Sequence, residues 1–191
     1  MAQTANYTSA AKPKAAGCLY RAPKGTTGPT SVDAALDPAV YTCLGYLSED
    51  GITNSIARSS EVKKAFGGDT VLTIQNDFTD SFKFKFIEVL NKYVLGTVHG
   101  EANVTGSDLD TGLAIEVNSD ELTEYLWVID LIMNDDTLSR TVIPAGRITE
   151  MGDITYTSSD LVAYDVTVTA VADSSGNTHY EYKKKKPVVT T

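Results

Sequence analysis

The chain of 191 residues has little of what enzymes and exported scaffolds use. It holds two cysteines, Cys18 and Cys43, and two histidines, His99 and His179. Two cysteines are too few for a disulfide framework, and neither pairs with another ligand at metal-site spacing. Two reduced thiols in a cytoplasmically made protein is the reading favoured. The sequons Asn6-Tyr7-Thr8 and Asn103-Val104-Thr105 carry no weight without secretion. No long apolar run occurs, so no helix is expected to span a bilayer. Residues 1–20 are polar and Ala-rich and lack a basic head followed by an apolar stretch, so no export signal is expected.

Positive charge is also scarce over most of the chain. The net charge is −9, and four of the 16 basic residues form the single run Lys183 to Lys186. Residues 1–182 carry 12 basic against 25 acidic side chains. Phosphate binding depends on Lys and Arg, so such a body should not grip nucleic acid, although it can still surround it. What is present is apolar material: hydrophobic residues make up 42%, too many for a disordered chain.

Residues 1–37 read as an extended arm. They are punctuated by Pro13, Gly17, Pro23, Gly25, Gly28 and Pro29 and show no sustained period. Residues 38–182 read as one β domain, and residues 183–191 as a Lys-rich tail. Val40 to Leu47 is β-rich and ends at a turn signal, Ser48-Glu49-Asp50-Gly51. Residues 52–70 are polar and read as a long inter-strand loop. Val71 to Gln75 is a short strand.

In Phe82-Lys83-Phe84-Lys85-Phe86 the strict alternation predicts one buried and one solvated face. Asn91 as N-cap and Gly100 as C′ glycine bracket one short helix, weakened by about 1 kcal/mol at Gly96 relative to Ala.

The second half is nearly all strand. Leu113, Ile115 and Val117 share a face. Glu124 to Met133 is apolar on both faces apart from Asp130. Tyr125, Trp127 and Ile129 point one way, and Leu126 and Val128 the other. Such a strand needs cover on both sides, from the helix or a neighbouring subunit. Asn134-Asp135-Asp136 makes a hairpin turn, Pro144-Ala145-Gly146 turns the chain again, and Arg147 to Thr157 is a further strand.

From Leu161 to Ala172, Val162, Tyr164, Val166, Val168 and Ala170 face the core and Asp165, Thr167 and Thr169 face water. The last strand is Thr178 to Tyr182. The sum is mainly β: about nine strands in a sandwich or barrel with one flanking helix.

No catalytic constellation emerges. Ser48 has glycines three residues away on each side, not the two that a nucleophile elbow needs. Gly67-Gly68-Asp69 lacks the Lys and spacing of a phosphate loop. The acidic pairs Glu49-Asp50, Asp108-Leu109-Asp110 and Asp135-Asp136 match no calcium loop and read as solvated turns. The histidines read as structural. The lysine run reads either as a phosphate-binding tail or, preferred, as charge that discourages pairing at a sheet edge. Trp127 reads as a core or interface residue rather than a ligand-stacking one.

Several segments, in order and spacing, resemble the major tail (tube) proteins of long, flexible-tailed phages. The resemblance begins at Leu44-Gly45-Tyr46-Leu47-Ser48-Glu49-Asp50-Gly51-Ile52. It continues through Arg58-Ser59-Ser60-Glu61 and Gly68-Asp69-Thr70-Val71, then the amphipathic strand and helix. It ends with Ile143-Pro144-Ala145-Gly146-Arg147-Ile148 through Asp153-Ile154 and with Tyr164-Asp165-Val166-Thr167-Val168-Thr169-Ala170.

The resemblance implies a β-sandwich or barrel that assembles as rings, commonly hexameric, stacked into a tube. Its implied setting is the virion tail, after synthesis in the host cytoplasm. It also implies no enzymatic activity, no cofactor or metal, and no membrane insertion. The implied partners are further copies of the chain, a tape measure protein, a tail terminator and distal tail proteins, with DNA passing through unbound. Interface candidates are Trp127, Tyr125, Ile129, Arg58, Glu61 and Phe66, and lumen candidates are Asp165, Thr167 and Thr169. The alternatives are a ring-forming terminator, a capsid-decorating protein, a β-sandwich binding module and, least supported, an unusual enzyme.

Overall fold

A computed structural model describes residues 8–15 and 17–186. Eleven strands and one α-helix are present among them: β1 (Ala11–Pro13), β2 (Leu19–Pro23), β3 (Thr42–Cys43), β4 (Leu47–Lys64), β5 (Thr70–Phe86), α1 (Lys92–His99), β6 (Val104–Thr105), β7 (Ala114–Ile115), β8 (Tyr125–Met133), β9 (Thr137–Met151), β10 (Tyr164–Ala170) and β11 (Tyr180–Lys185). Nine strands form one antiparallel sheet ordered β3-β2-β8-β9-β10-β5-β4. In it β1 also pairs with β8 and β11 with β9, while β6 and β7 pair separately.

Strand β9 carries the sheet from one layer to the other. Its first half, Thr137 to Ile143, pairs with β8 and β11, and its second half, Gly146 to Met151, pairs with β10. The sheet therefore folds over itself as an open sandwich. The β5 and β8 strands are not neighbours in the sheet, yet the Phe84 and Trp127 rings lie 6.1 Å apart across the core. Phe82, Phe84 and Phe86 close that core with Val166, Val168, Ile148 and Leu19, and α1 lies over it with Val94, Leu95 and Val98.

The helix forms where its caps predict. Asn91 accepts from the Tyr93 amide at 3.0 Å, and Gly100 leaves the helix at φ 96°, a conformation that costs other residues a Cβ clash.

Both faces of β8 are covered from within the subunit. On one side Tyr125, Trp127 and Ile129 meet the main core. On the other, Leu126 and Val128 pack with Ala22 and Val142 under Tyr20, Leu36, Tyr41 and Tyr182. The second cover is thus supplied largely by the chain ahead of residue 42. The arm expected over residues 1–37 is accordingly part of the body from β1 onward, with Cys18, Leu19, Ala22 and Val32 buried. Residues 1–7 and 187–191, the ends of the expected arm and tail, lie outside the described residues.

A buried ion pair locks this arrangement. Arg140 on β9 donates to both oxygens of Asp130 on β8, at 2.6 and 2.7 Å, and its remaining donors reach the carbonyls of Ser31 and Ala34. Asp130, the one charge in an otherwise apolar strand, therefore has a full set of partners.

Several boundaries differ from expectation. The segment 52–70 is not a loop: β4 and β5 pair over nearly their whole length, leaving a short tip at 65–69. The Ser48-to-Gly51 signal is not a turn but a bulge in β4, because the register steps from Leu47 opposite Phe86 to Ile52 opposite Phe84. Pro144-Ala145-Gly146 does not reverse the chain, since β9 runs through it. Residues 152–163 have no strand, and of 113–117 only Ala114–Ile115 pair, with Val117 exposed. The last strand starts at Tyr180 and takes in Lys183 to Lys185.

Candidate assembly surfaces

The most unusual surface is the β4–β5 hairpin. The last contact of β5 with β10 is Ser81 opposite Thr169. Beyond that point the two hairpin strands pair, among the described residues, only with each other. Nine residues of β4, from Ile56 to Lys64, then carry the chain to the tip, a reach of roughly 30 Å at about 3.3 Å per residue. Along it Ile56, Val62, Val71, Leu72, Ile74 and Phe78 are exposed, and Phe66 at the tip is exposed at 112%.

Local order within the hairpin is nevertheless good. The Arg58 guanidinium stacks 4.5 Å over the Phe78 ring, Lys63 pairs with Glu61, and the tip closes with Ala65 N–H donating to the Asp69 carbonyl at 2.7 Å. Glycines at 67 and 68 adopt φ 117° and 101°, as the reversal requires. Arg58, Glu61 and Phe66 are thus brought onto one projecting element.

Trp127, Tyr125 and Ile129, also expected at an interface, are instead buried inside the subunit. Trp127 is 1% exposed and its Nε1–H donates to the Gly146 carbonyl at 2.8 Å, while Tyr125 lies under the Arg21 guanidinium at 4.2 Å. An intramolecular layer, not a neighbour, satisfies their face.

Asp165, Thr167 and Thr169 share the outer face of β10, opposite Lys85, Lys83 and Ser81 of β5. The face is polar and close to charge-balanced. Lys83 lies 3.4 Å from Asp165, Lys85 lies 2.7 Å from Asp50, and Arg147 pairs with Glu121. The lysine next to Asp50 holds its carboxyl below the usual carboxylate range.

Lys183 to Lys185 of the lysine run sit on β11, whose one sheet partner among the described residues is β9; Lys183 pairs with Glu181 and Lys184 with Asp33. Among the described residues the outer edge of β4 is likewise unpaired.

Burial displaces several titrating groups, among them a thiol, an imidazole and the phenols of Tyr20, Tyr41, Tyr125 and Tyr164, which it raises. Desolvation pushes the Cys18 thiol up and the His99 imidazole down, the latter ring standing edge-on to Tyr164 at 5.4 Å. His179 does not share its surroundings: its Nδ1 lies 2.5 Å from Asp80. A surface cleft runs beside Tyr20, Leu36, Tyr41 and Arg140, but the guanidinium there is already bonded to Asp130 and two carbonyls. Among the described residues no group of three or more His, Cys, Asp or Glu side chains is placed to hold a metal. Among the described residues no helix is long and apolar enough to cross a membrane.

Sequence reasoning missed the hairpin, the buried Arg140–Asp130 pair and the Asp80 cluster. The exposed β4–β5 surface had no amphipathic period to reveal it, and the other two rest on partners distant in sequence. No curated protein matches the chain. The family model described as phage tail tube protein matches residues 4–190, nearly the whole chain. An open β-sandwich with a projecting hairpin and a charge-balanced polar face therefore belongs to the phage tail tube protein family, a structural component of the virion tail.

Proposed function

We propose that the subunit polymerises into hexameric rings that stack into the tail tube, the conduit for DNA delivery into the host. The observation that carries this reading is the β4–β5 hairpin. A two-stranded ribbon is marginal alone in water, and this one exposes seven large apolar side chains, of which Phe78 is partly covered by Arg58. It gains fuller cover by lying on the subunit of an adjacent ring, with Arg58, Glu61 and Phe66 in the contact. The open edge of β4 gives a neighbour a place to extend the sheet.

The lumen wall is the outer face of β10 with Asp165, Thr167 and Thr169. Its paired lysines leave little free positive charge for a duplex to grip. A tape measure protein occupies the lumen during assembly, and the tail terminator and distal tail proteins close the two ends. The test is electron microscopy of the purified chain at rising concentration. Tubes with a regular axial repeat are the expected result; a monodisperse monomer at every concentration would overturn the proposal.

A further inference from the structure

At the root of the hairpin is a buried carboxylate that the packing of the core does not require. Asp80 is the first β5 residue on the hairpin side of the body, opposite Ile56 of β4 and next to Ser81, which still pairs with Thr169 of β10. Its side chain has no exposed surface. Oδ1 accepts from the Asn54 amide at 2.7 Å, across the hairpin on β4. Oδ2 accepts from the Thr178 hydroxyl at 2.6 Å and faces His179 Nδ1 at 2.5 Å, both on the connection that leads into β11. Asn54 also donates to the Ser81 carbonyl at 3.1 Å, and the His179 ring stands edge-on against Phe82 at 5.3 Å.

One carboxylate thus ties both strands of the hairpin to the body. Beyond it the side-chain bonds run within the hairpin, from Arg58 to Gln75 and from Asn76 to Glu61.

An apolar side chain would fill this site without the desolvation that a buried charge suffers, so what the cluster adds is direction. Hydrogen bonds from three residues fix an angle where apolar packing tolerates a range of them. Leverage makes that angle matter. With an arm of roughly 30 Å, a tilt of about 10° at the root moves the tip by about 5 Å, a whole side-chain contact.

We infer that Asp80, with His179, Thr178 and Asn54, is a positioning node that sets the direction of the hairpin and through it the register between stacked rings. The inference rests on the hairpin contacting an adjacent ring, as proposed above.

The test uses His179→Phe, which keeps a ring against Phe82 but removes the donor; His179→Gln, which keeps an N–H donor; and Asp80→Asn, which keeps volume. Circular dichroism confirms that each is folded. His179→Phe and Asp80→Asn are expected to form at least tenfold less tube than the unaltered chain at equal concentration, or tubes of changed twist, and His179→Gln to recover most of the loss. Amide hydrogen exchange over residues 52–82 in the unassembled subunit reads the tie without polymerisation, and should be faster in His179→Phe than in His179→Gln. Wild-type yield and twist in His179→Phe and Asp80→Asn, or equal exchange in the two His179 variants, would overturn the inference. Absence of tubes from the unaltered chain would instead remove the functional reading, leaving the exchange comparison to decide whether the node exists.

Discussion

Arg140 and Asp130 are each nearly inaccessible to solvent, and each is the other's main partner. A buried pair of this kind contributes little net stability relative to apolar residues of similar volume, but removing one member strands the other. Arg140→Leu or Asp130→Leu alone should therefore cost about 3–5 kcal/mol, and the double variant markedly less than the sum, as read by urea unfolding of the unassembled subunit. Equal and additive losses would show that the pair is not coupled.

His99 gives a residue-scale test in pH. Burial holds its imidazole below the ordinary 6.5, so on acidification the unfolded chain binds the proton first. Stability should fall as pH drops from about 6.5 until the folded site itself titrates, and His99→Gln should flatten that part of the curve. The exposed carboxylates held low, Asp50, Asp108 and Asp173, lose their contribution only from about pH 3.8 downward, a separate window. An unchanged melting temperature between pH 7 and 5 in the unaltered chain would contradict this account.

Elements differ in how plainly the sequence shows them. The Phe82-to-Phe86 alternation, the apolar β8 and the Asn91–Gly100 bracket were legible because each buries a face or meets a backbone need that leaves a periodic or capping mark. The distal part of the hairpin was not. Between Ile56 and Phe78 both faces of the ribbon are solvated in the subunit, so no period-2 pattern distinguishes it from a polar loop. The β2 strand was hidden for a different reason: Arg21 looks like a surface residue, yet it is buried against Tyr125 and bonded to Glu101 at 2.6 Å. Tyr125, Trp127 and Ile129 read as core or interface because β8 is apolar on both faces; the residues before 42 cover the opposite face, at Leu126 and Val128, so neither face needs a neighbour.

The structure also fixes where the hairpin can be cut. Ile52 packs on the core and Asn54 binds Asp80, so the removable part is 57–79, rejoined from Ile56 to Asp80 by Asn-Gly. That variant should melt within a few degrees of the parent, because the excised segment buries little, and should form no tubes by electron microscopy. Normal tubes from it would dismiss the hairpin as a ring contact.

At the scale of the whole molecule, charge decides how the proposed tube treats DNA. The body is acidic, and the lysines closest to the β10 face are each held by a carboxylate, Lys83 by Asp165 and Lys85 by Asp50. Counterion release, which drives proteins onto duplex DNA, needs positive charge free to meet phosphate. Balanced pairs supply little of it, and the surplus of acid elsewhere opposes approach.

The lysine run is the exception, but it lies on the β11 edge and is itself partly paired, through Glu181 and Asp33. A wall of this composition encloses a polyanion without retaining it. Assembled tubes should therefore fail to co-sediment a short duplex at physiological salt. Asp165→Asn, which releases Lys83 in every subunit of every ring, should make the tubes retain it, with retention falling steeply as salt rises. Retention by unaltered tubes, or no gain in Asp165→Asn tubes, would place the lumen on some other face of the subunit.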